Sequence, residues 1–169
     1  MISPIILVDY DPNWPTLFNE LRDRVAAVLG DLVVVIEHVG STSIPGCRAK
    51  PIIDMDVVIA SRADLLQAVA LLATLGYVHQ GDLGIKGREA FVTPANTLPH
   101  HLYVCDSQNE QYHRHILFRN YLRAHPEEVQ AYSALKQSLA QQFRHDRDAY
   151  NRSKDQFVTR ILQRAAQGT

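Results

Sequence analysis

Asp54 and Asp56 lie one residue apart in the run PIIDMDVVIA. Side chains alternate along a strand, so both carboxylates point to one face, about 7 Å apart at the backbone, while Ile53, Met55 and Val57 point to the other. Two buried acids at that spacing repel, and burial raises at least one pKa. A hard divalent ion such as Mg2+ relieves the conflict, because it takes oxygen ligands and commonly uses one or two carboxylates together with substrate phosphates. A solvent-facing strand would carry the same spacing without a metal. Ile52, Ile53, Val57, Val58 and Ile59 are apolar on both parities, the pattern of a strand covered on both faces, and this favours a site.

Upstream, Gly40-Ser41-Thr42-Ser43 directly follows the β-branched run ending at Val39. A glycine lets backbone approach a ligand closely, and successive N–H groups with serine and threonine hydroxyls hold phosphate oxygens. A helical turn beginning at Ser41 or Ser43 would add a partial positive charge. The plain alternative is a polar turn capped by serine. Arg48 and Lys50 precede the acidic strand and are placed to neutralise phosphate, or to sit in solvent as loop charges. Of Glu37 and His38, parity with Gly40 favours His38 as the residue facing the site.

Further along, Lys86, Arg88 and Glu89 occupy a Gly-rich link, GDLGIKG and its continuation, suited to a loop over a ligand. Arg88 is the best phosphate partner among them, because a guanidinium fork binds two oxygens. Arg114, Arg119 and Arg123 recur near helical spacing; Arg119, beside Phe118, is expected near the cleft and Arg123 in solvent. Tyr132 with Lys136, and Tyr150 with Lys154, each place an aromatic and a cation one helical turn apart. An amphipathic packing helix with lysines at its rim reads the same way. His113 and His115 fall on different helix faces, form no metal pair and are left out of the site.

The elements that must hold these residues follow from periodicity. Leu17, Phe18, Leu21, Val25 and Leu29 recur at helical spacing up to Gly30. Leu32 to Val39 and Pro51 to Ala60 read as strands, and Ser61 to Asp64 opens a helix running toward Gly76. Tyr77 to Gln80, Glu89 to Thr93 and His101 to Cys105 read as further short strands. After Asp106 three helical segments are expected, at 110–124, 126–143 and 146–166. Strands gathered in the first two thirds and helices at the end define an α+β fold with a mixed sheet, an N-terminal helix and a C-terminal helical segment. The absence of regular βαβ alternation speaks against a doubly wound sheet. The chain is read as one domain, 1–169, with a sheet-containing core at 1–106 and a helical tail at 107–169 packed on it.

The 169 residues include 46% hydrophobic side chains, enough for a real core. With 17 basic and 18 acidic residues the formal net charge is -1, so no global field recruits long nucleic acid or anionic membrane, and anion binding must be local. Cys47 and Cys105 fit neither a disulfide framework nor a zinc spacing, and a reducing compartment suits them. The apolar patch Ile5 to Val8 lacks a basic flank and meets Asp9 and Asp11 too early for a signal peptide. No apolar run nears the roughly 20 residues needed to span a bilayer. A cytoplasmic protein is the expectation.

The run EHVGSTSIPGCRAKPIIDMDVVI, the later HHLYVC, and the tail FRNYLRAHP, YSALKQSLA and AYNRSKDQF resemble the GrpB family over almost the whole chain. Gly-Ser after a strand, followed by Asp-hydrophobic-Asp on the next, resembles the nucleotidyltransferase superfamily related to polymerase β. The resemblance implies that fold, a nucleoside triphosphate whose terminal phosphates are held at Gly40 and Ser41, with Thr42 and Ser43 continuing the polar turn, and Mg2+ or Mn2+ on Asp54 and Asp56. Active members clamp the attacking and leaving oxygens of an in-line displacement between two ions. The implied reaction moves a nucleoside monophosphate to a small-molecule acceptor. C-terminal helical lysines hold triphosphate in related enzymes, a role that falls here to Lys136 and Lys154.

A third acid normally stands on a later strand. In His100-His101-Leu102-Tyr103-Val104 histidine takes that place, and parity puts His101, Tyr103 and Cys105 on one face. His101 can serve as a nitrogen ligand, as a general base with a pKa near neutrality, or as a hydrogen-bonded sheet histidine. As a ligand it would shift preference from Mg2+ toward Mn2+. A phosphate-binding module without transfer chemistry, and a metal-dependent phosphohydrolase, are the rival readings.

Overall fold

The computed structural model describes residues 3–168; Met1 and Ile2, which open the N-terminal stretch, and Thr169 lie outside it. Helix α1 (Trp14–Leu29) leads through a short 3-10 turn into β1 (Val33–Val39). A 3-10 turn at Ser41–Ser43 separates β1 from β2 (Ile53–Ile59), after which come a third short turn and α2 (Leu65–Ala73), then β3 (Val78–Gly81), β4 (Glu89–Val92) and β5 (His100–Asp106). Helices α3 (Glu110–Ala124), α4 (Pro126–Gln142) and α5 (Arg147–Gln167) complete the chain. The α+β expectation is met. Boundaries move slightly: β3 starts at Val78 instead of Tyr77, β5 takes in His100 and Asp106, and α2 stops at Ala73, before Gly76.

The five strands lie in the order β1-β2-β5-β4-β3. Only β2 and β5 run parallel; β1, β4 and β3 pair antiparallel to their neighbours. Parallel pairing needs a long crossover, and everything from α2 to β4 lies within it. One sheet face packs on α1 and α2. Trp14, Phe18, Leu21, Val25 and Leu29, spaced along one side of α1, meet Ile53, Met55, Val57, Leu102 and Val104 in the main core. Each such side chain, fully buried, stabilises the fold by about 1.5 to 3 kcal/mol.

A second apolar cluster ties the helical tail to the segment between β1 and β2. Ile44 and Cys47 from that segment pack with Leu122 of α3, Val129 and Tyr132 of α4, and Phe157 and Ile161 of α5. Asn109 caps α3 by accepting from the Tyr112 N–H at 3.1 Å, and Asp146 caps α5 by accepting from the Ala149 N–H at 2.9 Å. Pro126 opens α4, where a missing N–H costs nothing. The helical tail is thereby anchored directly beside the Gly40 turn. Among the described residues no helix is long and apolar enough to cross a membrane.

Candidate functional site

Strand register decides which side chains share the face opposite α1. Glu37 pairs with Asp56 and Val39 with Asp54 across β1 and β2, while His101 pairs with Asp54 and Tyr103 with Asp56 across β2 and β5. Directly opposed residues point the same way, so Glu37, Asp54, Asp56, His101 and Tyr103 form one polar field. The expectation that His38 faces the site is corrected here. His38 pairs with Met55, stacks on Phe18 of α1 at 4.7 Å, and bonds Thr42 Oγ1 through Nε2 at 2.9 Å. Burial pushes its pKa down to about 4, which keeps it neutral as a support for the turn.

Gly40 makes the turn itself, with φ +72°. A Cβ there would lie 2.2 Å from Asp54 Oδ2, so only glycine permits this approach. Ser41–Ser43 form a single 3-10 turn; the helix needed to add a dipole is not built. Ser43 is buried and its hydroxyl donates to the Gly40 carbonyl at 2.5 Å, a structural use that leaves Ser41 and Thr42 to line the cleft.

That cleft, about 140 Å³, is lined by Ser41, Thr42, Lys50, Asp54, His101, Lys136 and Lys154, with Leu7, Ile52 and Tyr150 among its apolar walls. Lys136 is 2% exposed. Its ammonium donates to Ser41 Oγ at 2.9 Å and to the Arg48 carbonyl, and lies 3.4 Å from Cys47 Sγ and 4.4 Å over the Tyr132 ring. Lys154 sits 4.4 Å over the Tyr150 ring and Lys50 5.7 Å from the same ring. Desolvation lowers the pKa of all three. Lys154 falls to about 8, first through burial and then through repulsion from Lys50 and Lys136. The two Tyr-to-Lys helical pairs noted in sequence thus converge on one cavity from separate helices.

Asp54 and Asp56 share a face but differ in setting. Asp54 lines the cleft and accepts from His101 Nδ1 at 2.7 Å. Asp56 is 2% exposed and lies under α3, its Oδ2 2.6 Å from His115 Nδ1 and its buried Oδ1 without a hydrogen-bond partner. His115, omitted by the sequence reading, reaches the acidic strand. The signal was present in Tyr112, His115 and Arg119, which recur on one face of α3. Among the described residues no group of three or more His, Cys, Asp or Glu side chains is gathered into a ready metal centre. The donor set still suits a hard divalent ion, since the orphaned Asp56 oxygen lacks a partner and two carboxylates with substrate oxygens are a usual Mg2+ shell.

Arg119 and Arg88 are not brought to the lysine cleft. Arg119, 8% exposed, donates to Glu37 Oε2 at 2.6 Å and to the His38 carbonyl at 2.9 Å, joining α3 to β1. Arg88 lies 4.2 Å over the Tyr103 ring, beyond Asp56. Arg123, expected in solvent, is exposed and also donates from Nε to the Ser43 carbonyl at 2.9 Å. Arg48 pairs with Asp9 at the surface at 2.7 Å.

Comparison with known proteins gives the chain relatives and a shared fold. "UPF0157 protein YqkA" of Bacillus subtilis is 37% identical over 152 residues, covering 90% of this chain and 44% of the other, so this chain spans less than half of that relative. "Glutamate-rich protein GrpB" of Alkalihalophilus pseudofirmus is 36% identical over 163 residues and 94% of each chain. The crystal structure of conserved protein GrpB from Enterococcus faecalis superposes with a TM-score of 0.87 at 32% identity, over 96% of this chain and 98% of that one. The family described as GrpB protein matches residues 4–164, and with a relative matched over 94% of each chain and a shared fold, the chain belongs to the GrpB family.

Proposed function

We propose that the cleft binds the polyphosphate of a nucleoside triphosphate and that the protein transfers the nucleoside monophosphate to a small-molecule acceptor with the help of Mg2+ or Mn2+. The observation that carries this reading is the convergence of Lys50, Lys136 and Lys154 with the Ser41 and Thr42 hydroxyls on a cavity edged by Asp54. Three ammonium groups against one carboxylate leave an excess of positive charge that a polyphosphate neutralises.

Lys136, fixed by Ser41 and the Arg48 carbonyl, orients phosphate oxygens, while Lys50 and Lys154 supply charge from the cleft walls. Asp54 and Asp56 would hold the cation, which when bound stabilises charge on the phosphoryl oxygens as a Lewis acid. His101 places Nδ1 on Asp54, and its other ring nitrogen is the group to take the proton from an acceptor hydroxyl. The acceptor oxygen forms its bond to the α-phosphorus as pyrophosphate leaves. The test is pyrophosphate release from labelled triphosphate across a panel of hydroxyl and phosphate acceptors, with Asp54→Asn and Lys154→Met abolishing it. Release unchanged in both variants would overturn the reading.

One observation favours a second reading, a binding module without transfer. Each carboxylate already has a histidine partner, and β5 offers His101 where a third acid would complete the catalytic set. Metal-dependent triphosphate binding with no pyrophosphate released over the same panel would select it. Release of inorganic phosphate would select hydrolysis of a phosphorylated small molecule.

A further inference from the structure

We propose that His115 is the positioning residue for Asp56, the part of the acidic pair that β5 does not serve. The inference rests on the reading of Asp54 and Asp56 as a cation site. Asp54 has its neighbour His101 on β5, one strand away. Asp56 is flanked in the sheet by Glu37 and Tyr103, and Glu37 is drawn aside by Arg119. Its orienting contact comes from above the sheet, from α3.

The tautomer follows from the second contact of the ring. The Gln111 side-chain amide N–H lies 3.1 Å from His115 Nε2, so Nε2 accepts and the proton resides on Nδ1. The ring then donates from Nδ1 to Asp56 Oδ2 at 2.6 Å. One carboxylate oxygen is pinned and the other, Oδ1, is left buried with no partner. A donor that fixes one oxygen of a ligating carboxylate and frees the second is how outer-shell partners set metal-site geometry. Gln111, His115 and Arg119 are spaced by four along α3, and Arg119 binds both Glu37 and the His38 carbonyl. The same helix face therefore fixes the height of His115 above β2.

The test is Mn2+ binding to the full chain, followed by electron paramagnetic resonance of the free ion without nucleotide, alongside thermal melting and metal-free binding of inorganic pyrophosphate. Asp54→Asn and Asp56→Asn lose Mn2+ binding. His115→Phe, which keeps the ring volume but not the donor, weakens it by roughly 10- to 100-fold. His115→Asn, whose amide N–H replaces Nδ1, restores most of it, and metal-free pyrophosphate binding in the His115 and Gln111 variants, which lie outside the lysine cleft, stays at the wild-type level. Gln111→Leu, at the less buried end of the relay, gives a smaller loss and keeps the proposal testable if His115→Phe does not fold. Mn2+ affinity in His115→Phe and Gln111→Leu within threefold of wild type, while Asp56→Asn loses it, overturns the positioning role alone. A wild-type chain that binds no Mn2+ overturns the cation site, and the role of His115 with it.

Discussion

Gly40 and Asp54 are in such close approach that a single methyl group on the glycine would stand 2.2 Å from a carboxylate oxygen. The turn and the acid are one unit, although 14 residues separate them in sequence. Gly40→Ala must both adopt φ +72° and displace Asp54. Such a backbone conformation costs a residue with a side chain about 1 to 3 kcal/mol. Urea unfolding of Gly40→Ala is expected to show at least that loss, with weakened pyrophosphate binding; full stability with normal binding would contradict the close approach.

Lys136 and Lys154 are expected to respond in opposite ways to loss of charge. Lys136 satisfies Ser41 and the Arg48 carbonyl, so Lys136→Met leaves acceptors unpaired and costs about 1 to 3 kcal/mol. Lys154 is desolvated and faces two like charges, its ammonium resting on the Tyr150 ring. Lys154→Met is therefore expected to raise the melting temperature while lowering pyrophosphate affinity, a trade of stability against binding. Equal losses of stability in the two variants would refute the distinction.

The lowered Lys154 pKa sets a pH window. In the unfolded chain the amine titrates near 10.5 and in the folded protein near 8, so between those values the unfolded state binds more protons. Stability from this group accordingly rises with pH through the window, and the penalty is fully present below pH 8. Anion binding runs the other way, because it needs the protonated amine. Calorimetric titration with pyrophosphate is expected to show affinity falling above about pH 8, and Lys154→Arg to hold it flat to higher pH. A wild-type profile flat to pH 10 would exclude Lys154 from the cleft chemistry.

Arg119 is expected to be structural. Removing it leaves Glu37 and the His38 carbonyl without their partner on α3, and Arg119→Met should lower unfolding free energy by about 2 to 4 kcal/mol, near the lower end of what breaking a buried pair costs. Pyrophosphate affinity should stay within twofold of wild type. A large loss of affinity in a stable variant would return Arg119 to the phosphate site.

Those residues whose signal is local were legible in the sequence. Asp54 and Asp56 declare a shared face by strand parity, and Lys136 and Lys154 declare their aromatic partners by helical spacing. His38 was misjudged because parity was carried through Gly40, where the chain leaves the strand at φ +72° and alternation stops. The opposition of Glu37 and Asp56 depends on antiparallel register, and the contact of His115 with Asp56 on how α3 lies over the sheet, across 59 residues. Neither is encoded in a local pattern. Arg119 was expected at the phosphate cleft as a neighbour of Phe118, and the same helix placement carries it instead to Glu37 and the His38 carbonyl.

The cleft draws Lys50 from the segment before β2 and Lys136 and Lys154 from the last two helices. The proposed anion capacity thus depends on elements far apart in the sequence. A nascent protein that has made every strand of the sheet still lacks two of its three ammonium groups, and Asp54 faces solvent with only Lys50 and His101 beside it. On the proposed reading, competence to hold a charged ligand arrives only when α5 docks, so binding would report that docking, and mass action on the bound form would stabilise α5 above all.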